Sequence, residues 1–166
     1  MKYALQIIIN VMPYYREPIL LSNKLYDELD EEVRKSFPNA CVLYIERVVN
    51  PEVLTRYETF VAANDVKEMR LFHGTSAKSI ASICETGYKK SYNKVSAYGH
   101  GTYFAQAGSL SKNYTDITET GESFLFINRV AVGADTGGNT AAGIFVIKHD
   151  EAAYPEYLIS FHKNAK

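Results

Sequence analysis

The chain has 166 residues, 46% of them hydrophobic and 22% charged, a globular composition rather than a disordered one. Lysine and arginine total 18 against 19 aspartate and glutamate, a net charge of −1, which excludes a broad phosphate-neutralising face for DNA or RNA. No apolar run reaches the roughly 18 residues a bilayer span needs, and Cys41 and Cys84 show no CxxC spacing, so free thiols in a reducing, intracellular compartment (cytoplasm or nucleus) are expected.

In chain order, MKYALQIIINVM carries one lysine and an apolar run broken by Gln6 and Asn10, and reads as a strand or a trimmed start rather than a signal peptide. From Glu17 to Phe37, Leu21, Leu25, Leu29 and Val33 recur every four residues, the apolar stripe of a helix with a charged opposite face, stopped by Pro38. VLYIERVV, Val42 to Val49, is a β-branched strand. Asn50 and Pro51 follow as N-cap and first-turn proline of a second helix through about Ala63, with Leu54, Tyr57 and Val61 facing inward. Met69 to Phe72 forms a short strand running into His73-Gly74-Thr75. Thr75 or Ser76 caps a third helix, which buries Ala77, Ile80, Ile83 and Cys84 and closes at Gly87 in a left-handed turn. KKSYNKVSA, Lys89 to Ala97, is an exposed loop. Three later strands, SFLFINRVAV (123–132), GIFVIKH (143–149) and PEYLISFH (155–162), place helices early and strands late, an α+β pattern with a largely antiparallel sheet in a single domain.

The stretch YGHGTYFAQAGSLSKNY, Tyr98 to Tyr114, can be tested as a phosphate cradle. A dinucleotide fingerprint on Gly99 and Gly101 needs a third glycine where Phe104 stands, and GADTGGNTAAG lacks the Gly-Lys-Ser/Thr ending of a P-loop. No GxSxG elbow is present, and His73, His100, His149 and His162 form no i, i+4 pair and have no cysteine partner, so no metal site is expected. Taken singly, His73 reads as a satisfied strand-end histidine and Tyr103 as one of 13 tyrosines, mostly core residues. Ser111 and Tyr114 read as the edge of a short helix. Only their combination beside bare glycine backbone points to a ligand.

Four blocks, LFHGTSAKSIASICETGY, YGHGTYFAQAGSLSKNY, SFLFINRVAVG and GIFVIKHDEAAYPEYLISF, together with VLYIERVVNPEVLTRY, resemble the catalytic domain of the poly(ADP-ribose) polymerase family in order and spacing. The likeness covers roughly Val42 to Phe161 and implies the ADP-ribosyltransferase fold, a split, largely antiparallel sheet with helices packed on it. It also implies NAD as substrate, with no metal. By this resemblance His73 bonds the adenine-side ribose, and Gly74, followed by Thr75, presents backbone donor and acceptor to the nicotinamide carboxamide. Ser111 adds a hydroxyl, Tyr114 stacks on the nicotinamide ring, and Tyr103 closes the other side of the pocket.

One position departs from the polymerising members. The third triad position falls at Ile144, which can neither hydrogen-bond a ribose hydroxyl nor move a proton; Glu151 and Glu156 lie beyond it in the same alignment. The His73-Tyr103-Ile144 pattern resembles the mono-ADP-ribosyltransferase members. The expectation is transfer of one ADP-ribose to protein side chains, or to a nucleic-acid end, by a monomeric domain with no membrane partner. The alternatives are an inactive NAD- or ADP-ribose-binding module and an interaction scaffold on the same fold. Acceptor choice is expected to depend on the 89–97 loop and the 133–143 connection.

Overall fold

The computed structural model describes residues 12–92, 97–110 and 117–163. Within them run β1 (Tyr15–Pro18), α1 (Lys24–Ser36), β2 (Cys41–Val49), α2 (Pro51–Ala63) and β3 (Val66–Thr75). Then follow α3 (Ile80–Thr86), β4 (Thr102–Ala105), β5 (Glu122–Gly133), β6 (Ile144–Ile147) and β7 (Ala153–His162). The strands form a seven-stranded sheet in the order β1-β2-β7-β5-β3-β4-β6, antiparallel at every pairing, so the class is α+β. No helix among the described residues is long and apolar enough to cross a membrane.

Both faces of the central strands are covered, which explains why FLFI, Phe124 to Ile127, is continuously apolar instead of alternating. Along β5, Leu125 and Ile127 join a core with Leu29 and Val33 of α1, while Phe124 and Phe126 join Val53 and Tyr57 of α2 and Ile80 and Ile83 of α3 on the other face. Asn50 ties this second layer together. Its Oδ1 accepts from the Val53 amide at 3.1 Å, capping α2, and its Nδ2 donates to the Cys84 and Glu85 carbonyls at 2.9 and 2.8 Å. The Asn50-Pro51 signal therefore marks the start of a helix and its docking onto α3 together.

Several boundaries differ from the sequence expectation. Leu21 does not belong to a helical stripe: it lies in a turn and is exposed, because Glu17 and Pro18 pair with Arg47 and Glu46 at the sheet edge. The helix starts only where Asn23 Oδ1 accepts from the Leu25 amide, and its buried stripe is Tyr26, Leu29 and Val33. In α2, Val53 and Tyr57 are the buried residues, with Leu54 and Val61 packed at the margin. The short strand expected over 69–72 runs from Val66 to Thr75, so His73, Gly74 and Thr75 are strand residues. Neither Thr75 nor Ser76 caps the next helix: a 3-10 turn over Ala77–Ser79 intervenes, with no side-chain cap bond, and Ala77 is exposed. Gly87 ends α3 at φ 74°, ψ −165°, outside the left-handed helical region but equally reserved for glycine. The strand expected over 143–149 is only Ile144–Ile147, and residues 90–92 of the exposed loop form a 3-10 turn.

The sheet is nearly divided between β3 and β4. The register there is a single pair, Phe72 with Ala105, whereas β3 pairs β5 over ten positions and β4 pairs β6 over four. Beyond Phe72 no further register pair joins the β3 edge carrying His73, Gly74 and Thr75 to β4. A strand residue directs its N–H and C=O to the same side, so a parted edge can offer a donor and an acceptor side by side.

Candidate functional site

His73 bridges the parting. Its Nδ1 lies 2.8 Å from the Tyr103 carbonyl oxygen. A carbonyl can only accept, so Nδ1 carries the proton, and the neutral ring leaves Nε2 as a free acceptor. Burial lowers the His73 pKa below that of an ordinary imidazole, with the Tyr103 carbonyl opposing it, so the ring is held neutral. Two aromatic rings set its plane: Tyr88 at 5.0 Å, edge-on at 69°, and Phe104 at 5.5 Å.

The structure brings His73 to Tyr103 through the tyrosine's main chain, not through its phenol. The Tyr103 hydroxyl donates to the Gly99 carbonyl at 2.7 Å and accepts from the Tyr98 amide at 3.2 Å, which fixes the ring against its own glycine loop. Tyr103 pairs with Val146 and Ala105 with Ile144 in the β4–β6 ladder, so Tyr103 and Ile144 share a face as diagonal neighbours, roughly 7–8 Å apart by the usual antiparallel geometry. Ile144 is half-buried at the first position of β6. Gly74 and Thr75 are buried on β3, paired with Leu125 and Phe124. Ser111 and Tyr114 lie outside the described residues.

Glycine opens two places beside this site. A Cβ on Gly101 would stand 2.6 Å from the Ile147 carbonyl oxygen and 2.7 Å from Val146, so the loop before β4 can lie on β6 only without a side chain. Gly138, at φ 102°, would place a Cβ 2.4 Å from the Ile144 carbonyl oxygen. It sits in the 133–143 connection, which is bonded back onto β6: Gly137 and Val146 exchange both main-chain bonds at 2.9 Å, and the Ile144 amide donates to the Asn139 carbonyl. Gly138→Ala is therefore expected to destabilise the fold by about 1–3 kcal/mol. Gly99→Ala, at φ 93° with nothing within 4 Å, carries conformational strain alone and is expected to cost less. Urea midpoints at unchanged slope measure both.

Glu151 and Glu156 stay away from Ile144. Glu151 is exposed in the 3-10 turn after β6, and Glu156 sits on β7, with β5 and β3 between it and β4. Of the remaining histidines, His149 pairs with Asp135 at 2.6 Å, His162 bonds the Gly121 carbonyl, and His100 is exposed. Cys41 and Cys84 are both free thiols, and burial raises the Cys84 pKa to about 11, which keeps it unreactive. Among the described residues no group of three or more His, Cys, Asp or Glu side chains converges as metal ligands would. The open cleft lined by Tyr14, Arg16 and Glu46 lies at β1, the opposite edge of the sheet.

Tyr88 and Asn128 escaped the sequence reading. The Tyr88 hydroxyl donates to Asn128 Oδ1 at 2.5 Å, and Asn128 Nδ2 donates to the Leu71 and Phe126 carbonyls at 2.9 and 3.1 Å. Burial holds the Tyr88 phenol far above its ordinary pKa, so it remains a donor. The available signal was the asparagine that follows the apolar run FLFI in SFLFINRVAV.

A parted antiparallel sheet with a neutral strand-end histidine at the parting is the architecture of an ADP-ribosyltransferase domain. A family model described as the poly(ADP-ribose) polymerase catalytic domain matches residues 23–137, well over half the chain, and the chain belongs to that family. Ile144 lies beyond the matched residues. The chain is 29% identical over 180 residues to the protein mono-ADP-ribosyltransferase PARP14 of Homo sapiens, covering 87% of this chain and 10% of that protein. It is 26% identical over 178 residues to protein mono-ADP-ribosyltransferase PARP12 of Mus musculus, covering 87% and 25%. A probable poly [ADP-ribose] polymerase of Dictyostelium discoideum is 27% identical over 165 residues, covering 82% and 48%. The chain thus spans from a tenth to about half the length of these curated relatives.

Proposed function

We propose that the chain is a single catalytic domain that cleaves NAD, releases nicotinamide and transfers one ADP-ribose unit to an acceptor, most plainly a protein side chain. The observation that carries this reading is the His73 tautomer. With Nδ1–H committed to the Tyr103 carbonyl, Nε2 accepts a hydroxyl of the adenine-side ribose. Gly74 offers its amide and carbonyl to the nicotinamide carboxamide, with Thr75 beside it. Tyr103 closes the nicotinamide-side pocket, Ser111 adds a hydroxyl to the carboxamide, and Tyr114 stacks on the ring. An electron-rich tyrosine face suits the cationic pyridinium.

In the reaction the bond between nicotinamide nitrogen and ribose C1′ breaks, and its electron pair leaves with nicotinamide. C1′ takes oxocarbenium character, and an acceptor oxygen closes on it. Pinning the leaving group while C1′ moves is binding that strengthens toward the transition state. A carboxylate acceptor is already ionised and needs no base, which fits a site with isoleucine at 144. The mono-ADP-ribosyltransferase relatives favour the same class of reaction.

Ile144 also favours a second reading, an NAD- or ADP-ribose-binding module without turnover. Mass spectrometry of the protein after exposure to NAD separates the two. Covalent addition of single ADP-ribose units, with free nicotinamide, is expected; NAD binding by calorimetry with no adduct and no nicotinamide would establish the module.

A further inference from the structure

Tyr88 and Asn128 are 4% and 0% exposed and lie within the apolar layer under α2 and α3, where a pair of apolar side chains would pack without any need for partners. Their hydrogen bonds go to a particular place. Leu71, whose carbonyl Asn128 holds, stands two residues before His73 on β3, and Phe126, the other carbonyl, is the cross-strand partner of His73 itself. Asn128 therefore grips the main chain just before the histidine and directly across the ladder from it. Its remaining polar atom, Oδ1, takes the Tyr88 hydroxyl, so all three donor hydrogens of the pair are used. Tyr88, fixed in this way, lays its ring edge-on to His73 and to Phe104, both at 5.0 Å. It also roots the segment that follows, where the Lys90 amide is held by Asp150 Oδ1 at 2.9 Å.

We propose that Tyr88 and Asn128 are positioning residues that hold the His73 ring in the plane and tautomer in which Nε2 accepts a ribose hydroxyl of NAD. This rests on the reading of His73 as an NAD contact. Without the pair, the ring loses the buttress that keeps Nδ1–H in line with the Tyr103 carbonyl, so the bond that selects the tautomer weakens as the ring tilts. A fully satisfied buried network of this kind confers geometry rather than bulk stability.

Three variants test it: Tyr88→Phe, Asn128→Val and the two combined. Each is read by NAD and ADP-ribose calorimetry, by thermal midpoint, and by the ¹⁵N shifts of the His73 ring. Tyr88→Phe strands Asn128 Oδ1 and should lower both midpoint and affinity. The double variant removes both partners of the Tyr88–Asn128 bond and leaves only the Leu71 and Phe126 carbonyls without their side-chain donor, so its midpoint should lie above that of Asn128→Val alone. Its NAD affinity should stay down by about fivefold to tenfold, the loss of roughly one well-aligned hydrogen bond. The two ring nitrogens, widely separated in the wild type as a single tautomer requires, should draw together. Wild-type affinity and unchanged ring shifts in the double variant would overturn the proposal, and Tyr88→Phe decides by the same criteria if the double variant does not fold. If His73→Ala binds NAD as tightly as wild type, the reading of His73 fails instead, and the ring shifts still judge the pair.

Discussion

His73→Ala is expected to lower covalent incorporation from labelled NAD by about 10²-fold or more, the usual consequence of losing a group that orients the reacting substrate. The variant should remain folded. The ring contributes one hydrogen bond across the β3–β4 parting, worth about 0.5–1.5 kcal/mol, against about 5–15 kcal/mol for a whole domain. Circular dichroism at the assay temperature checks that condition. The lowered pKa of His73 adds a second signature. The native state takes up this proton less readily than the unfolded chain does. The stability it contributes is therefore fully present above the ordinary imidazole value of about 6.5 and is lost as pH falls through the lowered native value. Protonation also consumes the Nε2 lone pair, so NAD affinity should hold level through the ordinary imidazole value and fall only on the acid side of the lowered native value. That acid limb should vanish in His73→Ala. Incorporation unchanged in the variant would remove His73 from the reaction.

What the sequence made legible follows from how local each signal was. Asn50 and Pro51 mark a helix start because capping and the proline dihedral act within one turn. The long apolar run of β5 was unmistakable because both faces are buried. By contrast, the four-residue leucine spacing from Leu21 overreached, since Glu17 and Pro18 are held by pairing with β2, some 30 residues away in sequence. The sequence ends the strand at Phe72, before His73, Gly74 and Thr75, because glycine and threonine resemble a helix start. Their strand character comes from the β5 partner, which no local pattern reveals.

The candidate site divides in the same way. His73 and Tyr103 were found through family likeness, and the structure adds that the contact between them uses the tyrosine carbonyl. The buttress behind them joins Tyr88 to Asn128 across 40 positions of sequence, and only the folded sheet places them together. Gly101 and Gly138 stood out as glycines, but the reason for each is a specific atom of β6, the Ile147 and Ile144 carbonyl oxygens.

Mass spectra of the wild-type protein after long exposure to NAD should show single ADP-ribose units on each modified residue, with no ladder. Extending a chain requires the hydroxyl of an existing unit to lose a proton as it attacks C1′. Ile144, at the third triad position of the proposed site, has no group to take that proton, and it sits diagonal to Tyr103 on the shared β4–β6 face. Lacking a general base costs roughly 10²- to 10⁴-fold in the step that uses it, enough to suppress elongation while a carboxylate acceptor is still modified. Ile144→Glu returns an acidic group to a half-buried strand start whose amide is already bonded to the Asn139 carbonyl, so the main chain can stay as it is. Nicotinamide release should then quicken by part of that factor, because the new carboxylate can take the proton of an attacking water or ADP-ribose hydroxyl. Product length is a separate quantity, because the 133–143 connection, tied to β6 at Gly137 and Asn139, borders the same strand end. Rate and length read on the same variant therefore distinguish a missing base from a closed acceptor side: faster release with single units assigns the limit to the connection, and faster release with a ladder assigns it to Ile144. A ladder from the wild type would show that the triad position lies elsewhere.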